Sequence, residues 1–234
     1  SAFGSTDATT GEWKINTSPS VTYGTNGFFI LKDGNSVTDQ SGNGNNFTVA
    51  TGTLTNTEDC PSNVFATLNS LNNYLPEATF SNGNLKITTK ESAPVMATIG
   101  ASSGKYYWEV KVNALASNYG TIGIVGTQAT ASTQFITSNA NEYMYYSPGS
   151  LNYNGGSVSS GYASYTAGDI IGVAMDLDNN RLFFSKNGTF QNSADPTSST
   201  GAYTITAPAS TSLGFYFPAI GYWDDNDAAN GTYE

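Results

Sequence analysis

Gly168-Asp-Ile-Ile-Gly-Val-Ala-Met-Asp-Leu-Asp178 and, two asparagines later, Arg181-Leu-Phe-Phe-Ser-Lys-Asn-Gly188 decide the fold. Residues 170–177 are apolar at nearly every position, the pattern of a strand covered on both faces in the middle of a sheet. Asp178-Asn179-Asn180 interrupts the run, and a second apolar run follows at once, so the two segments read as a hairpin. Asn187-Gly188 then supplies a second tight turn, because both residues tolerate the positive φ that such turns require.

Working outward, Lys105 to Val112 alternates. Tyr106, Trp108, Val110 and Val112 share one face, and Tyr107, Glu109 and Lys111 share the other, which is an amphipathic strand with an aromatic-rich inner face. Gly120 to Gly126 reads as a further strand. Turn pairs recur along the chain at Asp33-Gly34, Gly42-Asn43-Gly44, Asn82-Gly83 and Asn154-Gly155-Gly156. No stretch sustains apolar residues at helical spacing, so the fold class is all-β, and 234 residues suffice for one large β-sandwich or for one domain plus an extension. The core is expected to hold Trp108, Val110, Ile122, Ile124, Ile171, Val173, Leu182 or Phe184, and Phe217. Asn192 to Ser212 reads as a long loop with one short strand at Tyr203 to Thr206.

Residues 1–61 differ in texture and form a turn-rich N-terminal extension. Two strands are expected there, Gly27 to Leu31 and Phe47 to Ala50, too few for an independently stable sheet. The sandwich is assigned to 62–234.

Composition removes several function classes. The chain has 18 acidic against 8 basic residues, a net charge of −10, and no cluster of Lys and Arg to neutralise phosphates. Nucleic acid and anionic membrane are therefore not expected partners. No apolar run reaches the roughly 20 residues that span a bilayer as a helix, so membrane insertion is not expected. Histidine is absent and Cys60 is the single cysteine. That removes Ser/His and Cys/His nucleophile pairs and any intrachain disulfide, leaving only carboxylate chemistry to an enzyme.

Four pieces in order resemble the SPRY family. They are Gly104-Lys-Tyr-Tyr-Trp-Glu-Val-Lys-Val112, Tyr119-Gly-Thr-Ile-Gly-Ile-Val-Gly126, the 168–188 stretch, and Phe215-Tyr-Phe-Pro-Ala-Ile-Gly221. The resemblance implies a lectin-like, jelly-roll type sandwich of two antiparallel sheets that binds through loops at one edge. The family adds a closing strand, often ending in Asn-Phe-Gly, which is not evident before Glu234. That apparent lack, together with a first residue that is not methionine, leads to the expectation that the chain is part of a longer polypeptide.

The N-terminal part has its own resemblance. Phe3-Gly-Ser-Thr-Asp-Ala-Thr-Thr-Gly-Glu-Trp13, Tyr23-Gly-Thr-Asn-Gly-Phe-Phe29, Asp39-Gln-Ser-Gly-Asn-Gly-Asn-Asn-Phe47 and Asn63-Val-Phe-Ala-Thr-Leu-Asn69 are similar to stretches of marine bacteriophage structural proteins. This implies a virion fibre or tail-appendage protein, an adhesin. Its expected partners are a host-surface glycan or protein and other virion proteins, with self-association left open.

Three groups of residues are candidates for the site. The first is an aromatic and amide set, Tyr119, Tyr145, Tyr146, Tyr153, Asn154 and Trp223, within a tyrosine-rich region that also holds Tyr143, Tyr162 and Tyr165. Rings cover sugar C–H surfaces or anchor proteins at low entropic cost, and amides serve hydroxyls. The competing reading is that alternate tyrosines fill the core. Tyr146 and Tyr153, flanking Ser147-Pro148-Gly149, are expected to be the most exposed. The second group is Asp224, Asp225 and Asp227, three carboxylates in four positions that are candidate ligands for Ca²⁺. Asp39 with Asp33 and Asn35 is a weaker calcium candidate. The third is Glu109 with Glu142, the strand-placed pair that glycoside hydrolysis would need within about 5–9 Å. No catalytic residue is assigned, and binding rather than catalysis is the expectation.

Overall fold

The structure is a computed structural model of the whole chain. It describes all residues except 1, 7, 9–12, 17, 32–35, 55–65, 73–77, 90–93, 129–139, 154–155 and 223–230. Two compact units are present, Ser1–Phe65 and Ala66–Glu234, against the 1–61 and 62–234 read from sequence.

Among its described residues the N-terminal unit contains one small antiparallel sheet, β1 (Gly4–Thr6) with β2 (Trp13–Ile15). The strands expected at Gly27 to Leu31 and Phe47 to Ala50 do not form. Those segments make isolated backbone bonds instead, such as Leu31 N–H to the Ser36 carbonyl and Phe47 N–H to the Val37 carbonyl. A buried carboxylate organises them. Asp39 Oδ1 accepts the N–H groups of Phe29 and Ser41, and its Oδ2 accepts the Asn45 N–H and the Ser41 hydroxyl, all at 2.7–2.9 Å. Burial raises the Asp39 pKa, but these hydrogen bonds outweigh it and hold the carboxyl far below the usual carboxylate range. Asn43 and Asn45 then donate to the carbonyls of Gly24, Thr25 and Gly27, clasping the two turns together.

The second unit is built from β3 (Thr79–Ser81), β4 (Lys86–Thr89), β5 (Val95–Met96), β6 (Lys105–Leu115), β7 (Gly120–Val125), β8 (Glu142–Tyr146) and β9 (Ser150–Tyr153). There follow β10 (Gly156–Ser160), β11 (Ile170–Asp176), β12 (Arg181–Lys186), β13 (Thr189–Phe190), β14 (Tyr203–Thr204), β15 (Phe217–Tyr222) and β16 (Gly231–Tyr233). They form two antiparallel sheets. One runs β10-β9-β8-β7-β15-β5, and the other β13-β12-β11-β6-β16-β4-β3 with β14 paired to β12.

The expected hairpin is present: β11 pairs with β12 from Ile171–Lys186 to Asp176–Arg181, and with β6 on its other side. Its turn is closed by Asp176, which accepts bonds from the Asn179 amide and N–H and pairs with Lys105 at 3.4 Å. The Asn187-Gly188 turn has both residues at positive φ, +49° and +78°. Among the expected core residues, Val110, Ile122, Ile124, Ile171, Val173, Leu182 and Phe184 are fully buried between the sheets. Trp108 is half-buried against them. Tyr106 is 48% exposed, so the inward aromatic face begins one step later than the alternation suggested. Phe217 packs elsewhere, on the opposite face of the six-stranded sheet beside Met96, Val125, Met144 and Ala219. That sheet is therefore buried on both faces. Gly123 is required within it, because a Cβ there would lie 2.0 Å from the Tyr143 carbonyl oxygen.

The closing strand is present after all. β16, three residues long, inserts between β6 and β4, with Tyr233 opposite Val112 and Ile87. Glu234 continues the pairing through two backbone bonds to Lys111, and its carboxylate receives the amides of Asn82 and Asn113. Tyr233 is a fully buried side chain that plugs the core, and Gly231 leaves room where a Cβ would meet the Tyr233 ring and hydroxyl, the latter at 2.5 Å.

Candidate functional site

The tyrosines singled out from sequence divide between the two ends of the six-stranded sheet. At one end β7 begins, β8 ends and β15 ends, since Gly120 pairs with Tyr222 and Thr121 with Tyr146. Tyr119 sits just before β7 and is 41% exposed. Its ring lies 6.4 Å from that of Tyr146 at 30°, and meets Tyr222 edge-on at 6.2 Å. Tyr146 is half-buried and leads into the Ser147–Gly149 turn, where Gly149 takes φ of +108°. The turn is pinned to β7 reciprocally: Ser147 N–H donates to the Gly120 carbonyl, and Gly120 N–H donates to Ser147 Oγ. Tyr165 N–H donates to the Ser147 carbonyl at 2.9 Å, which brings residues 162–166 alongside. Lys186 Nζ reaches the Ser164 carbonyl at 2.7 Å and pairs with Asp169 at 3.1 Å. The result is a pinned turn with the rings of Tyr119, from the segment before β7, and Tyr146, from the end of β8, meeting beside it, and one ion pair nearby.

Tyr145 does not belong to this surface. It is fully buried, its hydroxyl donates to the Ala163 carbonyl, and its ring meets Tyr162, Tyr165 and Phe184 edge-on at 5.1–5.5 Å. Strand alternation explains this, since Tyr145 faces the core and Tyr146 faces out. Burial pushes the Tyr145 hydroxyl well above the ordinary tyrosine range, and Tyr162 up to about 12.

Tyr153 lies at the other end of the β8–β9 hairpin. It stacks flat on Tyr143 at 4.5 Å and 3°, and Tyr143 also contacts Tyr203 and Tyr216. Thr206 ties this group together, with its N–H donating to the Tyr143 hydroxyl and its carbonyl accepting from Tyr216. Tyr153 is half-buried packing there, not a neighbour of Tyr146. The expectation that the two flank one exposed turn fails because β9 carries Tyr153 the length of the hairpin away. Sequence reasoning missed Tyr222, although it directly precedes Trp223.

Asn154, Trp223, Asp224, Asp225 and Asp227 lie outside the described residues. Among the described residues no three His, Cys, Asp or Glu side chains converge as a metal site. Asp39 is occupied by N–H and hydroxyl donors, which is a structural role and not the oxygen-rich cage calcium needs. Glu109 and Glu142 are not brought together. Glu109 is exposed on β6, where it accepts the Tyr107 hydroxyl at 2.7 Å, whereas Glu142 is fully buried in the other sheet.

These features define an all-β, two-sheet antiparallel sandwich in which Tyr119 and Tyr146 meet at one end of the six-stranded sheet, while Tyr106, Tyr107 and Phe215 are exposed elsewhere. The SPRY domain model matches residues 105–223, more than half of the chain, and the chain belongs to the SPRY family. Ran-binding protein 9 of Xenopus tropicalis is 29% identical over 119 residues, covering 46% of this chain and 22% of that protein. The chain thus spans about a fifth of that relative's length. The SPRY domain of human HERC1 superposes with a TM-score of 0.50 at 16% identity, over 67% of this chain and 90% of that domain, and shares the fold.

Proposed function

We propose that this chain is a bacteriophage virion module whose SPRY sandwich binds a host-surface glycan or protein, without catalysis, through the sheet end where Tyr119 and Tyr146 meet. The carrying observation is the exposed Tyr119 ring backed by Tyr146 and Tyr222 beside the doubly pinned Ser147 turn. Rigid, partly exposed aromatics are the side chains from which interfaces draw most of their energy. Two further points support the reading. SPRY domains are interaction modules, and the similar stretch in Ran-binding protein 9 belongs to a protein named for binding another protein. The virion setting rests on the N-terminal segments that are similar to phage structural proteins.

The test is attachment of the purified protein to a panel of marine bacteria. Tyr119→Ala and Tyr146→Ala should each lower the bound amount about tenfold, the loss expected of an aromatic anchor, with folding unchanged. Periodate treatment of the cells abolishes attachment if the target is a glycan, and protease treatment does so if it is a protein. Equal attachment by both variants, or none by the wild type, would overturn the proposal.

A second reading, a module that joins virion subunits, is favoured by one feature of the N-terminal unit. Phe28, Leu31, Phe47, Val49 and Leu54 are each 40–48% exposed, and Phe28 and Phe47 pack edge-on at 4.7 Å. Exposed apolar groups of this kind mark contact surfaces. Cross-linking inside intact particles that captures residues 28–54 against another virion protein would establish it.

A further inference from the structure

Four Asn-Gly pairs fall among the described residues: 26–27, 43–44, 82–83 and 187–188. The glycine matters chemically, since with no side chain its backbone nitrogen can approach the asparagine Cγ unhindered. Three of the four asparagines have their amides tied down. Asn43 Nδ2 donates to the carbonyls of Gly24 and Gly27. Asn82 Nδ2 donates to Glu234 Oε1 at 2.9 Å. Asn187 is held at both atoms, with Oδ1 accepting the Ile170 N–H and Nδ2 donating to Asp169 Oδ1, each at 2.8 Å. Asn82 and Asn187 also sit at positive φ, locked in their turns.

Asn26 differs in its side chain. It shares exposure with Asn43 and Asn187 and an ordinary φ with Asn43, but its amide makes no hydrogen bond among the described residues. The attacking nitrogen, on Gly27, makes one long bond to the Gly24 carbonyl at 3.3 Å. We infer that Asn26 is a spontaneous deamidation site, the fastest of the four, and that the other three are protected by the bonds their amides make.

The reaction balances without any redox partner. The Gly27 nitrogen gives up its proton to base and attacks Asn26 Cγ, forming the ring C–N bond. The bond between Asn26 Cγ and Nδ2 breaks, and ammonia leaves carrying the proton returned by solvent. The resulting succinimide is opened by water at either carbonyl, giving aspartate or isoaspartate. Either product adds one negative charge to a protein already at −10.

The experiment ages the intact protein in mildly alkaline buffer and follows each Asn-Gly peptide by mass spectrometry, with isoaspartyl methyltransferase marking the isomerised product. Asn26 should convert first, and Asn187, which must break two side-chain bonds before it can react, should lag it about tenfold. Glu234→Ala removes the bond to Asn82 and should speed conversion at Asn82 while leaving Asn26 unchanged. Conversion at Asn43, Asn82 or Asn187 as fast as at Asn26, or no acceleration at Asn82 in the variant, would overturn the inference.

Discussion

The two units of this protein are held by opposite means. In the described part of 66–234, side chains such as Tyr145, Tyr216, Tyr233, Phe183 and Phe184 are almost wholly removed from water, each contributing about 1.5–3 kcal/mol by burial. In the described part of 1–65 the buried side chain is a carboxylate, Asp39, while Phe28, Leu31, Phe47, Val49 and Leu54 stay 40–48% exposed. A SPRY sandwich gains its stability from non-directional burial. The N-terminal unit relies on directional bonds that radiate from Asp39 and on the Asn43 and Asn45 clasp. The contrast teaches that similar Asn-Gly-rich texture serves two purposes: turns between strands in one region, the whole scaffold in the other.

Perturbations should therefore separate the units. Phe184→Ala should have the largest effect, lowering sandwich stability by about 3–5 kcal/mol in urea unfolding, as expected for a buried aromatic cut to alanine. Amide exchange in residues 23–31 and 36–47 should not change. A matching fall in protection in those segments would contradict this. Gly123→Ala comes next. Its Cβ would press the Tyr143 carbonyl and force the sheet apart, at about 1–3 kcal/mol.

Extremes of pH give the intermediate effects. Tyrosine in the unfolded chain ionises near pH 10, whereas burial raises Tyr162 to about 12 and also holds Tyr145, Tyr165, Tyr216 and Tyr233 well above the ordinary range. Stability from these groups is complete below pH ~10 and drains away as pH rises through the folded values. Absorbance at alkaline pH should then show a slow class of tyrosines that ionises together with unfolding. A single smooth titration of all tyrosines near pH 10 would contradict this. For Asp39 the sign is reversed. Its depressed folded pKa means the stabilisation is present above pH ~4 and is lost as pH falls towards the folded value. Asp39→Asn should remove that acid sensitivity from the segments around it and loosen them at neutral pH, as read from the amide signals of Phe29, Ser41 and Asn45. Tyr119→Ala should be the mildest, within about 0.5 kcal/mol of wild type in stability because the ring is at the surface.

The sequence was most legible where a two-residue period met a buried face. β6, β7, β11 and β12 could be read because Val110, Ile122, Val173 and Leu182 recur at the right parity. β16 was not legible, since Gly231-Thr-Tyr233 is three residues long and becomes a strand only when β6 and β4 offer it a slot. Phe217 packs on the second, smaller hydrophobic cluster with Met96, Val125, Met144 and Ala219 rather than between the sheets, because the six-stranded sheet carries buried apolar residues on both faces. The candidate site was half legible. Tyr119 and Tyr146 meet because β7 pairs with β8, but Tyr145 and Tyr153 looked equivalent to them in sequence. Only the hairpin register shows that one points inward and the other lies at the far end.

The central claim is that the sandwich engages its target through the sheet end where Tyr119 and Tyr146 meet, leaving the apolar surface of the N-terminal unit for other contacts. Hydroxyl-radical footprinting of the protein free and bound to the bacterium it attaches to tests this directly. The account predicts protection at Tyr119, Tyr146 and Pro148, with Tyr106, Tyr107, Phe28 and Phe47 reacting as in the free protein. Protection confined to Phe28 and Phe47, with Tyr119 and Tyr146 unchanged, would contradict it.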